Sequence, residues 1–222
     1  MAASSVENEV WLEVRGGEEA LGRGMQRALI DRACSRTPPQ LRVRPSGIPQ
    51  GGLGLFADRS FEAGEAVLEL YGVLVPRKAR YDRPGSQDYI FGLNEAFRVD
   101  PLHPQVQSHQ WCLSWAINHS CNPNLVALKS TYGRLGFSRQ EAAFMRQPLV
   151  QQEPVGHADP EDDELMDELI FFVALKPIGI GDELFFDYRR GAVCAEKESD
   201  GTHRSSIAKI CRCASPQCRG WY

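Results

Sequence analysis

The chain has 222 residues, of which 42% are hydrophobic and 24% are charged, and its formal net charge is −4. This length and apolar fraction allow one domain with a sizeable core, or two small ones, and the negative charge argues against a general nucleic-acid binder, whose affinity depends on Lys and Arg. No apolar run approaches the roughly 20 residues of a membrane span, and the N-terminal MAASSVENEV lacks the basic and apolar regions of a secretory signal.

Residues 1–40 carry little pattern. VWLEV (10–14) is compatible with a short strand, and residues 20–34 with a weak amphipathic helix that ends at the Pro-Pro pair 38–39. We interpret this segment as an N-terminal appendage of unknown role.

From Leu41 onward the texture changes to short apolar bursts separated by Gly, Pro and Asp. That texture is typical of many short strands. The segment HQWCLSWAI (109–117) predicts a short helix that leads into NHSCNPN. The predicted strands include LRVRPS, the apolar run after EAGEAV (62–67), DYIFGL (88–93) with its partner FRVD (97–100), NLVALKS, RLGFS and LIFFVAL.

A long polar stretch covers residues 139–168 and ends in the acidic run DPEDDELMDE (159–168). We favour a solvated, mobile insertion, since charge runs usually face solvent. The alternative is an acidic surface that attracts a basic substrate.

Three internal runs combine polar residues or glycines with apolar neighbours: NHSCNPN (118–124), GDELFFDY (181–188) and GGLGLFA (51–57). Each has a purely structural interpretation. An Asn-His pair is more often structural than catalytic, Tyr188 could be a core tyrosine with a satisfied hydroxyl, and the glycine-rich turn lacks the spacing of a dinucleotide fingerprint or a P-loop.

Cys211, Cys213 and Cys218 crowd the C-terminal run CRCASPQCRGWY. A Cys-x-Cys pair is too close for an easy mutual disulfide, and seven cysteines without a secretory signal indicate a reducing compartment, where metal binding is favoured. Three thiolates suit tetrahedral zinc, which needs a fourth ligand from elsewhere in the chain.

Taken together and in this order, the motifs resemble the SET-domain protein lysine methyltransferases that carry a zinc-binding post-SET tail. The resemblance covers about residues 41–222 and adds the strand ELYGV (69–73) to the runs above. It implies a mostly β architecture, the β-clip or SET fold, with several small curved sheets, short helices and a C-terminal pseudoknot. It also divides the chain into a SET domain (41–190) with the insertion at 139–168, and a post-SET tail (191–222).

The resemblance implies roles for individual residues. Tyr188 would be the catalytic residue, and Cys121 would complete the metal site of Cys211, Cys213 and Cys218. Cys34, Cys112 and Cys194 match no motif and are interpreted as ordinary thiols. The cofactor would be S-adenosyl-L-methionine, bound by Gly52, Leu53, Gly54, Asn118, His119 and Tyr188.

The substrate channel implied by the resemblance is lined by Phe186, Tyr71, Tyr89 and Trp221. Phenylalanine at position 186, where the family has Phe or Tyr, predicts di- or trimethylation. For Trp221 two interpretations stand equally: a residue that closes the channel or covers the cofactor, and a solvent-exposed terminal aromatic.

The family implies an enzyme that methylates a lysine of a basic protein, with a histone tail as the favoured substrate and a nuclear, chromatin-associated location. The cytoplasm is the alternative location. We expect neither sequence-specific nucleic-acid binding nor a membrane partner. The competing functions are a catalytically silent SET module that binds a protein or peptide, a methyltransferase of a non-histone protein, and a small zinc-binding interaction domain.

Overall fold

The computed structural model of the chain describes residues 39–78, 83, 89–108, 110–131, 135, 168–188 and 209–222. The predicted strand at 10–14, the predicted helix at 20–34 and most of RLGFS lie outside these residues. The described elements are β1 (Leu41–Pro45), β2 (Leu53–Ala57), β3 (Ala66–Glu69), β4 (Val73–Pro76), β5 (Phe91–Gly92), β6 (Phe97–Asp100), α1 (Pro104–Gln107), a single 3-10 turn (Ser114–Ala116), β7 (Asn118–His119), β8 (Leu125–Thr131), β9 (Glu168–Ala174) and β10 (Phe185–Phe186).

The strands form three small sheets, which confirms the predicted mostly β class. β1 pairs with β2, a five-stranded sheet has the order β3-β9-β8-β10-β7, and a three-stranded sheet has the order β4-β6-β5. The antiparallel pairing of β5 with β6 confirms the predicted partnership of DYIFGL and FRVD. Within the described residues, no helix has the length and apolar character needed to cross a membrane.

The core lies around the long antiparallel pair β8 and β9. Six of the seven residues of β9 are buried, so this strand is a nearly continuous apolar run rather than an alternating one. Such a run is expected of a strand covered on both faces. The main hydrophobic cluster includes Ile170 and Phe172 from β9, Leu125 and Ala127 from β8, and Phe186 from β10.

Two local features differ from the sequence-based expectation. Among the described residues 110–117, only Ser114–Ala116 form a helical turn, because Ile117 is extended and leads directly into β7, which pairs with β10. Glu168, which we counted with the acidic insertion, is the first residue of β9, because it pairs with Thr131 of β8.

β10 lies between β7 and β8 and runs parallel to both. The chain connects β7 to β8 through residues 120–124, so the NHSCNPN segment runs around one end of β10. Two backbone bonds hold it there, from Ser120 N to Phe186 O and from Asn124 N to Phe185 O, each 3.2 Å. This interleaving is what the predicted pseudoknot requires.

Candidate functional site

Four cysteine sulfurs converge where the tail meets the NHSCNPN segment. The Sγ atoms of Cys121, Cys211, Cys213 and Cys218 all lie within 4.8 Å of one another, and those of Cys121 and Cys211 are 3.7 Å apart. Zinc–sulfur bonds of about 2.3 Å in a tetrahedron place the sulfurs about 3.8 Å apart. The donor set and its spacing therefore fit a structural zinc ion.

The thiols of this cysteine cluster differ in acidity. Burial raises the pKa of Cys211. Burial also raises the pKa of Cys213, but hydrogen bonds from the backbone of Cys121 and Ser215 and from neighbouring thiols outweigh it and lower the pKa to about 6. Because the thiolate is the metal-binding form, Cys213 is prepared for coordination.

Backbone amides also point at the sulfurs. The amide of Cys121 donates to Sγ of Cys213 (3.5 Å), that of Arg219 to Sγ of Cys121 (3.4 Å), and that of Gly220 to Sγ of Cys218 (3.4 Å). Such donors stabilise negative charge on sulfur.

His119 connects the cysteine cluster to the end of GDELFFDY. Its Nδ1 accepts a hydrogen bond from the backbone amide of Tyr188 (3.2 Å), and its Nε2 lies 3.4 Å from Sγ of Cys121. Burial lowers the pKa of His119 to about 4, against the opposing effect of Asp187 and with a smaller lowering by Arg219. The ring is therefore neutral near pH 7, and with Nδ1 accepting, its proton is on Nε2, facing the sulfur.

Tyr188 is half-buried beside this histidine. Its hydroxyl donates to the carbonyl of Ile117 at 2.8 Å. Its ring centroid lies 4.6 Å from that of Phe186 and 5.3 Å from those of His119 and Tyr222. The Tyr188 ring thus packs among three other rings, and its hydroxyl proton is committed to the carbonyl of Ile117.

Phe186 is the buried base of this aromatic group. It stacks on Phe91 at a centroid distance of 5.8 Å and contacts Phe172 edge to face at 5.1 Å. The 4.6 Å separation of the Phe186 and Tyr188 ring centroids shows that the two side chains pack against each other.

The other predicted channel residues lie in different surroundings. Tyr71 contacts Trp111 edge to face at 5.7 Å and packs on a small cluster of Val73, Val106 and Cys112, separate from the core cluster that holds Phe186. Tyr89 and Trp221 are 39% and 45% exposed. The structure therefore brings Phe186, Tyr188 and His119 together, while Tyr71 belongs to the small cluster.

Three residues at this site, Asp187, Arg219 and Tyr222, were not assigned a role from the sequence. Arg219 donates two hydrogen bonds to the buried carboxylate of Asp187, at 2.8 and 2.7 Å, and the ring of Tyr222 lies 4.4 Å from that of His119. A carboxylate inside the apolar run FFDY requires a partner when buried. The need for a partner, together with an arginine directly after Cys218, could have indicated this ion pair from the sequence.

The glycine-rich turn meets the NHSCNPN segment through Asn118. Asn118 Nδ2 donates to the carbonyl of Leu53 (2.9 Å) and to Oε1 of Glu183 (3.1 Å). With both amide protons committed, this side chain can only accept further hydrogen bonds. Gly52 has a φ of +69°, and a Cβ there would meet nothing within 4 Å. This bare, open backbone suits close approach by a cofactor.

The fold and these motifs define a known class of domain. The SET domain family matches residues 52–189 of the 222, so the chain belongs to the SET-domain family.

The individual relatives share little sequence identity with this chain. Histone-lysine N-methyltransferase Su(var)3-9 of Drosophila melanogaster is 25% identical over 174 residues, which are 76% of this chain and 22% of that protein. KRYPTONITE in complex with mCHG DNA and SAH aligns with a TM-score of 0.50 and 20% identity, over 85% of this chain and 30% of that one. KRYPTONITE with mCHH DNA, an H3(1-15) peptide and SAH gives 0.49 and 19%, over 86% and 31%. The chain thus spans about a fifth of the first relative and less than a third of the second.

Proposed function

We propose that this protein is an S-adenosylmethionine-dependent protein lysine N-methyltransferase. The observation that carries the proposal is the Tyr188 hydroxyl, anchored on Ile117 O beside His119 and above Phe186, in a chain of the SET family. The bound cofactor would supply a methyl group on a sulfonium. The bare turn at Gly52 and the acceptor of Asn118 support its binding at the adjoining surface.

The residues of the chain would supply alignment and surroundings rather than covalent chemistry. The attacking lysine must be neutral, although its ordinary pKa is about 10.4. Apolar surroundings such as the rings of Phe186 and Tyr222 favour the neutral amine and exclude water. The lone pairs of the Tyr188 hydroxyl can orient the amine, and alignment of amine and methyl group supplies most of the rate effect.

Cys121, Cys211, Cys213 and Cys218 would hold a structural zinc ion. All four positions are cysteine, which is typical of closed structural sites. Bound zinc would tie the tail to the segment that contains His119.

The substrate is proposed to be a basic protein segment, with a histone tail as the first candidate and a nuclear, chromatin-associated location. The net charge of −4 suits a Lys- and Arg-rich peptide, and the curated relative is named a histone-lysine methyltransferase. The peptide would add alongside a sheet edge, with the lysine entering between the rings. Phe186 has no hydroxyl to hold a water molecule, so di- or trimethylation is the proposed outcome.

Methyl transfer from labelled S-adenosylmethionine to a histone mixture, followed by mass spectrometry, tests the proposal and gives substrate, site and methylation state together. We expect di- or trimethyllysine on a histone tail. Transfer only to other proteins of a cell extract would identify a non-histone substrate. Cofactor or peptide binding without any transfer would replace the enzyme by a silent SET module.

A further inference from the structure

We propose that Glu183 is a positioning residue that builds the cofactor-binding surface, and that Gly54 is a glycine to make room for Glu183 rather than for the cofactor. The inference rests on the proposed function, because the ligand of that surface is S-adenosylmethionine. It revises the sequence-based role of Gly54.

The Glu183 carboxylate accepts hydrogen bonds from the loop between β1 and β2. Ser46 Oγ donates to Oε1 at 2.6 Å, and the backbone amide of Gly47 donates to Oε2 at 2.8 Å. The loop is closed on itself by a bond from Ser46 N to Gly52 O, 2.9 Å long. Glu183 therefore fixes the loop that contains the open turn at Gly52.

The same carboxylate reaches the NHSCNPN segment. Oε1 accepts from Asn118 Nδ2, whose second proton goes to Leu53 O. The Glu183 side chain thus joins its own segment to the β1–β2 loop and to the NHSCNPN segment, both of which are distant in sequence. Hydrogen bonds to a charged acceptor are stronger than neutral ones, so these contacts set the relative positions of the segments.

Gly54 lies directly against Glu183. Leu184 N donates to Leu55 O at 2.7 Å and Phe56 forms a bridge with Glu183, so residues 182–184 run beside β2. In that pairing the Glu183 side chain is the diagonal neighbour of Gly54. A Cβ on Gly54 would overlap with the Glu183 carboxylate.

The backbone of Gly54 gives no other reason for glycine. Gly54 is not among the described glycines with positive φ, so its conformation suits any residue of a strand. Gly52 is the opposite case, with φ of +69° and open space where a Cβ would be. The two glycines therefore serve different purposes: Gly52, in the loop before β2, faces outward, and Gly54, in β2, accommodates the carboxylate.

A double-mutant cycle separates the two explanations for Gly54. Binding of S-adenosylhomocysteine to the full chain is measured by calorimetry for wild type, Gly54→Ala, Glu183→Ala and the double variant. If Gly54 makes room for Glu183, each single variant weakens binding by about tenfold or more. Gly54→Ala then adds no further loss in the Glu183→Ala background, because the overlapping group is gone. If Gly54 makes room for the cofactor, the second loss equals the first, and the inference is overturned.

Further variants keep the test independent of folding and of the reaction. Glu183→Gln preserves volume but loses an acceptor, and we expect it to raise the KM for S-adenosylmethionine more than it lowers kcat. Asp182→Asn is the matched control, because the exposed side chain of Asp182 bonds only the amide of Gly179 within its own turn among the contacts described. We expect it to bind like wild type.

Hydrogen exchange of the unliganded protein supplies a readout apart from the cofactor. We expect the Gly47 amide to exchange faster in Glu183→Gln than in wild type or Asp182→Asn. Unchanged Gly47 exchange, or unchanged KM, in Glu183→Gln would reject the positioning role. Wild-type protein that binds no S-adenosylhomocysteine would instead reject the proposed function, and with it the cofactor role of Glu183.

Discussion

The Tyr188 hydroxyl is the single group on which the proposed chemistry depends most. Its hydrogen bond to Ile117 O fixes its direction, and the rings of His119 and Tyr222 limit the movement of its own ring. A hydroxyl held in advance costs no reorganisation at the moment of reaction.

Replacing Tyr188 by Phe removes the hydroxyl and leaves the ring contacts. We expect kcat to fall by about 100-fold or more, as for other preorganised polar groups in reaction centres. S-Adenosylhomocysteine binding, measured alongside, should remain close to wild type. A variant with full activity would show that the mechanism is wrong even if the class of enzyme is right.

The Phe186 ring packs against that of Tyr188, and we propose that it limits the space open to the amine. We expect Phe186→Tyr to shift the products towards monomethyllysine, because the added hydroxyl fills space and can hold a water molecule against the amine. The product distribution is read by mass spectrometry of a peptide substrate. Phe91→Tyr, which adds the same group to the ring stacked on Phe186, is the control and should leave the distribution unchanged.

At the scale of elements, the tail is attached to β10 and β7 by more than the cysteines. Arg219 holds the Asp187 carboxylate, which directly follows β10, and the pKa of Arg219 is raised by that hydrogen bond. Tyr222 covers His119 of β7. The tail therefore forms part of the wall around Tyr188.

Breaking the Arg219–Asp187 pair should be costly, because Asp187 is only 4% exposed and would lose two charge-assisted hydrogen bonds. We expect Arg219→Ala to lower the free energy of unfolding by about 2–3 kcal/mol, below the full value for a buried pair because Arg219 is partly exposed. Urea denaturation measures the change. Arg42→Ala, which breaks the exposed pair with Asp58, should cost less than about 1 kcal/mol. Equal effects of the two variants would contradict a structural role for Arg219.

Removing the metal should abolish the activity without unfolding the sheets. We expect a strong chelator, or Cys213→Ser, to abolish methyl transfer while the sheets stay folded, because the tail loses its attachment but the core cluster lies elsewhere. Metal analysis should find about one zinc per wild-type chain and per Cys112→Ser chain, since Cys112 bonds Pro101 O outside the cysteine cluster. Full activity in metal-free protein would count decisively against the coupling.

At the scale of the whole molecule, the short strands and the SET family were predictable because they depend on local patterns and on motifs with fixed spacing. The partners of the motif residues were not. Asn118 is predicted to bind the cofactor, and no local pattern indicates that both its amide protons serve Leu53 and Glu183. The short extent of the 3-10 turn at 114–116 likewise follows from the pairing of β7 with β10, which no local pattern contains.

The position of β10 between β7 and β8 has a consequence for the order in which the protein can be assembled. The bond from Tyr188 to Ile117 spans 71 residues, and that from Cys121 to Cys213 spans 92. A chain emerging from the ribosome presents Asn118 and His119 long before their partners exist. The site is therefore complete only after the tail has been synthesised, and until then the polar groups of NHSCNPN must be satisfied by water.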